Sequence, residues 1–169
     1  MPLRNVFYLL CLSLLAACST PNQQIQTYLG PFPDFDMEEL SDVEDQEFVA
    51  YYDDGTLKQH TWIVNGCFDN MLHTYYENGK PKLAIPITNC KANGVVKSYH
   101  PNGNLDYELY VVNGVPDGSF LIYHNSDSNY VAKRASVKNG HVEGLVEEIS
   151  DDGETLKRGA IRNGKAMPF

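Results

Sequence analysis

Side chains that often serve in metal binding recur at fixed intervals in this chain. Of the five histidines, His100 and His124 hold equivalent positions 24 residues apart, and Tyr52 and Tyr76 hold the same position earlier in the chain. Equivalent positions two strands apart in a sheet are separated by about 10 Å, which is too far for two imidazoles to share one ion. We therefore predict that the histidines are surface or groove-lining residues and that they form no metal site.

Two acidic pairs, Asp53-Asp54 and Asp151-Asp152, have the residue types of an acid–base catalyst. A glycine follows each pair at equivalent positions, and aspartates in such turns accept hydrogen bonds from their own backbone. No nucleophile elbow surrounds a serine. We therefore expect carboxylates that stabilise turns, no catalytic residue and no cofactor, and thus a protein that is not an enzyme.

The N-terminus has the features of a secretory signal. After Arg4, an apolar run too short to span a bilayer ends in Leu15-Ala16-Ala17-Cys18, which resembles the bacterial lipobox. Residues 1–17 are therefore predicted to be a lipoprotein signal peptide, and Cys18 to carry acyl chains that anchor the protein. Ser19 resembles the form of the signal that leads to the outer membrane. An ordinary cleaved signal with an incidental cysteine is the alternative.

Cys67 and Cys90 remain after removal of Cys11 with the signal and lipidation of Cys18. In an oxidising compartment a disulfide between them would persist. They lie at neighbouring Asn-Gly corners, which we expect about 10 Å apart, whereas a disulfide needs Cα atoms about 4.4 to 6.8 Å apart. A disulfide formed after a local adjustment and two free thiols are both open alternatives.

Residues 18–46 are predicted to be an acidic, flexible tether. No Lys or Arg occurs between Arg4 and Lys58, and the formal net charge of the chain is −9. An acidic surface is repelled by phosphate backbones and anionic lipid headgroups. We therefore expect no nucleic-acid partner, and membrane contact through the lipid anchor only. A spacer and an acidic docking strip for a basic partner are the alternative roles of the tether.

From residue 47 to 169 the sequence repeats every 24 residues, with two residues more in the fourth unit. An Asn-Gly step recurs at Asn65-Gly66, Asn113-Gly114, Asn139-Gly140 and Asn163-Gly164, with Asn89-Cys90 in the remaining place. An aromatic recurs at Tyr51, Tyr75, Tyr99 and Tyr123, and Ile149 takes the fifth place. Asn-Gly favours a tight hairpin, and polar and apolar residues alternate in the flanking strands. Five β-hairpin units with about ten strands are predicted.

Two apolar ladders run through the units. One lies two residues before each Asn, at Ile63, Ile87, Val111, Val137 and Ile161. The other lies three residues before each aromatic, at Phe48, Leu72, Val96, Phe120 and Val146. A separation of three places the second ladder and the tyrosines on opposite faces of a flat strand, whereas a bulge would bring both to one side. Both arrangements are open at this point.

These units resemble the MORN repeat in its bacterial variant form. The signature Gly-x-x-x-x-Tyr, a turn with glycine, a strand and Asn-Gly is met by Gly94 to Tyr99, followed by Gly103 and Gly114. The resemblance implies an all-β fold, an elongated single-layer antiparallel sheet, and a role in protein or membrane contacts. Bacterial members are often labelled antitoxin components, so an antitoxin- or immunity-like role is also implied.

Aromatic rows form the candidate binding surface, because they offer flat apolar area with a polar tip. Its residues are Tyr51, Tyr52, Trp62, Tyr75, Tyr76, Tyr99, His100, Tyr123 and His124. Packing within the repeats is the alternative role, and Trp62 is the expected exposed anchor. We therefore predict an envelope lipoprotein that acts as a non-enzymatic module for an unknown protein partner. A carbohydrate- or peptidoglycan-binding lipoprotein, with cell-wall glycan as its ligand, is the alternative.

Overall fold

The computed structural model describes residues 43–167, which form an all-β fold. The predicted signal peptide, Cys18 and the tether up to residue 42 lie outside the described residues, so lipidation stays a prediction. The strands are β1 Gln46–Tyr51, β2 Leu57–Val64, β3 Cys67–Tyr75, β4 Pro81–Thr88, β5 Lys91–Ala92, β6 Gly94–Tyr99, β7 Leu105–Val112, β8 Val115–Tyr123, β9 Val131–Lys138, β10 His141–Ile149, β11 Thr155–Arg162 and β12 Lys165–Met167. Within the described range no helix is long and apolar enough to cross a membrane.

The strands form one open antiparallel sheet in which sequence neighbours pair, and β5 pairs with β4 beside the main path. The predicted fold class is therefore confirmed. Residues 43–167 contain twelve strands rather than ten, because Asn93 separates β5 from β6 and the last Asn-Gly turn is followed by the short β12. The five repeat units are β1–β2, β3–β4, β5–β7, β8–β9 and β10–β11.

The Asn-Gly steps are the hairpin turns that their composition predicts. Asn113 has a φ of 50° and Gly114 a φ of 84°, and the other three steps have the same pair of positive angles. Two positive φ angles match the twist of a type I′ turn. Asn89 and Cys90 adopt the same conformation with φ of 53° and 63°, so a cysteine occupies a backbone position that glycine usually holds.

Both apolar ladders lie on one face of the sheet, which we call the core face. Val96 pairs with Leu109, which in turn pairs with Phe120, and Val111 pairs with Gly94. Val96, Leu109 and Val111 are fully buried. The remaining buried apolar residues are Ile63, Cys67, Leu72, Ile85, Ile87, Ala92, Phe120, Ala135, Val137, Ile149 and Ile161.

The tyrosines of the repeat lie on the opposite face, which we call the open face. A register shift precedes the aromatic position in every unit, as between Ser98 and Tyr99. It does not bring the ring to the core: the Tyr123 hydroxyl donates a 2.9 Å hydrogen bond to Glu108, whose neighbour Leu109 points to the core face. Of the two open arrangements, the structure has the one with opposite faces.

Cys67 and Cys90 form a disulfide with their Cα atoms 5.1 Å apart. The expected separation of about 10 Å was wrong, because it compared corners two strands apart. Asn70 pairs with Ile87 in the ladder between β3 and β4, and continuing that register puts Cys67 directly opposite Cys90. The disulfide therefore closes the end of one strand pair.

Candidate binding surface

An apolar row crosses the open face near the Asn-Gly turns. Its side chains belong to five adjacent strands, and we call them the apolar row: Trp62, Met71, Pro86, Val95 and Tyr110. Met71 pairs directly with Pro86, and Val95 with Tyr110. The exposed fractions of Trp62, Val95 and Tyr110 are 47%, 41% and 42%. Large apolar side chains of the open face thus stay about half exposed to water, whereas most ladder residues on the opposite, core face are buried.

The repeat itself produces this row. Trp62, Pro86 and Tyr110 are 24 residues apart, and Met71 and Val95 are likewise 24 apart on the partner strands. These positions alternate with the core ladder along each strand, so their side chains point away from the core. The Tyr110 ring also lies over the next unit, since a Cβ atom at Gly118 would lie 2.8 Å from its Cδ1.

Charged pairs between neighbouring strands flank the apolar row, and we call their line across the sheet the charged row. Lys97, Glu108 and His60 lie two residues from the apolar row on β6, β7 and β2, and Glu47 lies on β1 opposite Trp62. Lys97 Nζ lies 2.9 Å from Glu108 Oε1, and His60 Nε2 lies 2.8 Å from Glu47 Oε1. Burial raises the pKa of the Glu108 carboxyl, but the bonds from Lys97 and Tyr123 outweigh it and the pKa is lowered overall. Each pair joins neighbouring strands. The charged row therefore links strands of the sheet and also borders the apolar row.

Glu147 is the most buried member of the charged row, with an exposed fraction of 5%. Arg158 approaches its carboxylate at 2.6 Å and Arg134 at 3.3 Å. A buried carboxylate needs such partners, since an unpaired one is costly to remove from water. The three residues belong to three adjacent strands, β9, β10 and β11, and they hold the C-terminal part of the sheet in register.

We call the predicted row of Tyr52, Tyr76, His100 and His124 the clasp row, because three of its members bond to the following unit. The Tyr52 hydroxyl donates to the carbonyl oxygen of Tyr75, and the Tyr76 hydroxyl to that of Tyr99, both at 2.7 Å. His124 Nε2 lies 3.1 Å from the carbonyl oxygen of Ile149. Tyr52, Tyr76 and His124 thus connect neighbouring units instead of pointing freely at a ligand.

Side chains from the following strand lie over the clasp row in the first three units. The ammonium groups of Lys58 and Lys82 lie 5.5 and 5.7 Å from the ring centres of Tyr52 and Tyr76. In the third unit His100 Nε2 lies 3.5 Å from Asp106 Oδ1. Burial, followed by the charge of Asp106, raises the pKa of Tyr76. The rings of the first two units are therefore occupied by the protein's own cations.

The other predicted aromatics are spread along the turn end of the open face. Tyr75 and Tyr99 are half-buried, whereas Tyr51 is 62% exposed. Burial, followed by Glu108, raises the pKa of Tyr123 to about 12. Of the nine predicted residues, Trp62 belongs to the apolar row. Its neighbours Met71, Pro86, Val95 and Tyr110 were missed, although the 24-residue spacing from Trp62 identifies two of them.

The acidic pairs have the predicted turn geometry. Asp54 Oδ1 accepts a 2.8 Å hydrogen bond from the backbone of Thr56, and this bond holds the pKa of Asp54 below its usual value. Asp152 accepts from the Ser150 hydroxyl and from the Glu154 backbone, which lowers its pKa in the same way. Among residues 43–167, no group of three His, Cys, Asp or Glu side chains is arranged to hold a metal ion.

Comparison with known families matches one unit of the array. A family model described as the MORN repeat variant matches residues 92–113, which run from β5 through β7 to the next Asn-Gly turn. The match supports a MORN-repeat family, whose repeats are typically non-enzymatic binding modules. A search of curated proteins gives no match.

Among solved structures, a crystal structure of accessory secretory protein 1, 2 and 3 in Streptococcus pneumoniae is similar at 12% sequence identity and a TM-score of 0.37. The alignment covers 78% of this chain and 23% of that chain. This chain therefore corresponds to less than a quarter of that relative, and a likeness this distant carries no functional argument.

Proposed function

We propose that this protein is a lipid-anchored module of the bacterial cell envelope that binds a partner protein through the open face of its sheet and catalyses no reaction. The observation that carries the proposal is the apolar row, which is contiguous over five adjacent strands and about half exposed at Trp62, Val95 and Tyr110. Contiguous apolar surface bordered by polar residues is typical of protein interaction sites.

The row has the arrangement of an interface centre. Trp and Tyr are the side chains enriched at binding hot spots, and Trp62 and Tyr110 lie near its two ends. At about 4.8 Å per strand the row is about 19 Å long. The charged pairs beside it supply a polar rim, which interfaces place around their apolar centre. The net charge of −9 favours a partner with basic residues at that rim.

Photo-crosslinking tests the proposed surface in the native envelope. A photoreactive side chain at Val95, in the middle of the row, should give an adduct with a defined protein. The same side chain at Glu77, an exposed position in a turn, is the matched control and should give none. Adducts of equal yield at both positions, or cell-wall glycan in place of protein, would refute the proposal.

Substitution of the two anchors tests the energetics of the same surface. The double variant Trp62→Ala/Tyr110→Ala should lose the Val95 adduct, whereas Tyr130→Ala should keep it, because Tyr130 is exposed outside the row. Each aromatic anchor in an interface centre contributes about 2 kcal/mol or more. A toxic protein as the crosslinked partner would identify an antitoxin- or immunity-like role.

The lipid anchor is tested separately. We expect Cys18→Ala to release the protein from membranes into the soluble fraction, because its acyl chains supply the membrane affinity. Cys11→Ala is the control and should stay with the membranes. Retention of the Cys18 variant in the membrane pellet would contradict the proposed anchor.

Carbohydrate binding by the aromatic rows receives less support. Sugar rings stack on free aromatic faces, but Lys58 and Lys82 lie over Tyr52 and Tyr76. The clasp row is also committed to backbone hydrogen bonds between units. The apolar row therefore supports a protein partner better than a glycan.

A further inference from the structure

A pocket of about 470 Å³ opens at the turn end of the sheet, between the fourth and fifth units. His124 and Ala132 line it from the fourth unit, and Ile149, Glu148 and Asp151 line it from the fifth. This end of the strands is opposite the Asn-Gly end that carries the apolar row. The pocket is therefore separate from the surface proposed above.

A single change in the repeat explains the pocket. Ala132 holds the position that Lys58, Lys82 and Asp106 hold in the earlier units. In those units the longer side chain reaches the clasp residue, as Lys58 and Lys82 reach the tyrosine rings at 5.5 and 5.7 Å. An alanine is too short to do so. The space that a lysine of this chain fills in the first two units is thus left open beside His124.

The fifth unit supplies charge where the fourth unit lacks the lysine. Its lining residues Glu148, Asp151 and Asp152 are all carboxylates. The equivalent residues are Thr74, Glu77 and Asn78 in the second unit and Ser98, Pro101 and Asn102 in the third. The three carboxylates together are therefore a feature of the fifth unit and do not recur in the units that follow Lys58 and Lys82.

The pocket is partly apolar, and its histidine contacts the fifth unit. His124 Nδ1 lies 3.0 Å from Asp151 Oδ1, and its Nε2 faces the carbonyl oxygen of Ile149. Ile149 is 7% exposed and contributes apolar surface together with Ala132 and Leu156. Lys133 also lines the pocket, and Lys157 Nζ lies 3.3 Å from Glu148 Oε2. Glu148 thus has a lysine of this chain beside it, and Asp151 and Asp152 supply the rest of the negative charge of the pocket.

We propose that this pocket binds the side chain of a lysine presented by a partner protein. The four-carbon stem of lysine fits the apolar surface of Ala132, Ile149 and Leu156. Its ammonium group then lies beside Asp151, where it gains charge-assisted hydrogen bonds. A lysine supplied in trans thereby takes the place that Lys58 and Lys82 take in their own units.

Titration followed by amide NMR tests the assignment on the disulfide-bonded repeat chain, residues 19–169. The probe is Nα-acetyl-lysine N-methylamide, and we expect saturable shifts at Ala132, Ile149 and Asp151 with millimolar affinity. The control probe, Nα-acetyl-norleucine N-methylamide, has the same stem without the charge. Equal shifts from the norleucine probe, or no saturable shift from the lysine probe, would overturn the proposal.

Variants assign the binding to the pocket. Ala132→Lys restores the residue of the first two units and should weaken lysine binding by about tenfold or more, whereas Ala132→Ser should retain it. Asp151→Asn should weaken binding, and Asp127→Asn, at an exposed turn acid outside the pocket, should not. Unchanged affinity in Ala132→Lys would overturn the proposal.

Two further measurements distinguish a lysine side chain from a free amine as the ligand, and the pocket from the apolar row as the binding site. Cadaverine carries the same ammonium group as a free diamine, and shifts from cadaverine with none from the lysine probe would overturn the assignment to a protein side chain. The Trp62→Ala/Tyr110→Ala variant should bind the lysine probe normally. Failure of the pocket and failure of the apolar row are therefore distinguishable.

Discussion

At the residue scale, the hydroxyl group of a single tyrosine forms a hydrogen bond between one repeat unit and the next. The Tyr76 hydroxyl donates to the carbonyl oxygen of Tyr99 in the next unit. Tyr76→Phe keeps the ring and removes the donor, so we expect the free energy of unfolding to fall by about 0.5 to 1.5 kcal/mol. The measurement is the urea midpoint at constant m. Tyr130→Phe, at a 54% exposed ring, is the control, and an equal midpoint in both variants would contradict the clasp.

Glu108 makes stability depend on pH. Its pKa in the folded chain lies below the ordinary value of 4.5 because Lys97 and Tyr123 bond to the carboxylate more strongly than burial opposes it. A lowered folded pKa means that the contribution is present above the unfolded value and is lost as the pH falls through the folded value. Glu108→Gln should therefore lower the urea midpoint at pH 7, and the difference from the parent protein should shrink at pH 3.

The control for this pH dependence is Glu77→Gln, at an exposed turn residue. It should match the parent protein at both pH values. A difference for Glu108→Gln that stays constant or grows in acid would show that its ionised form contributes nothing to the folded state.

The sequence predicted residue roles that depend on local patterns. Turn aspartates such as Asp54 and an exposed Trp62 follow from neighbours within a few positions. The roles of Tyr76 and Ala132 do not, because each depends on a unit 23 or more residues away. The pocket beside Ala132 becomes visible only when the units are aligned and one missing side chain is noticed.

At the scale of the strands, a glycine allows a backbone conformation and a close contact that other residues would not. Gly118 has a φ of 148°, and a Cβ atom there would lie 2.8 Å from the Tyr110 ring. Gly118→Ala should therefore destabilise the protein by about 1 to 3 kcal/mol. Gly159→Ala is a matched control, since nothing lies within 4 Å of its added Cβ atom. Thermal midpoints measure both, and equal midpoints would show that β8 does not need the glycine.

Strands and hairpins were predictable because alternation and Asn-Gly steps are local signals. The register between paired strands was less predictable. Between β7 and β8, Leu109 pairs with Phe120 whereas Val111 pairs with Pro116, so β8 has two extra residues around Gly118. Such bulges have no distinctive composition beyond glycine. The same uncertainty in register led to the wrong expected distance between Cys67 and Cys90.

At the scale of the whole molecule, the contacts join adjacent strands and successive repeat units. Each strand on the main path of the sheet pairs only with the strands beside it, and the clasp hydrogen bonds span 23 to 25 residues, one unit. Stability in such an array is close to a sum of unit and interface contributions. The apolar row and the lysine pocket therefore depend on their own units and not on a shared centre.

Deletion of one whole unit tests this additivity. Removal of residues 94–117 joins Asn93 to Gly118, which holds the same position in the repeat as Gly94, and Tyr76 then faces Tyr123 in place of Tyr99. We expect a folded sheet with a cooperative urea transition, a smaller m and a lower free energy of unfolding, because less surface is buried. Removal of residues 94–105 is the control: it deletes a single strand, reverses the direction of every later one, and should abolish the transition. Loss of the transition in the 24-residue deletion as well would show that the units do not fold as independent neighbours.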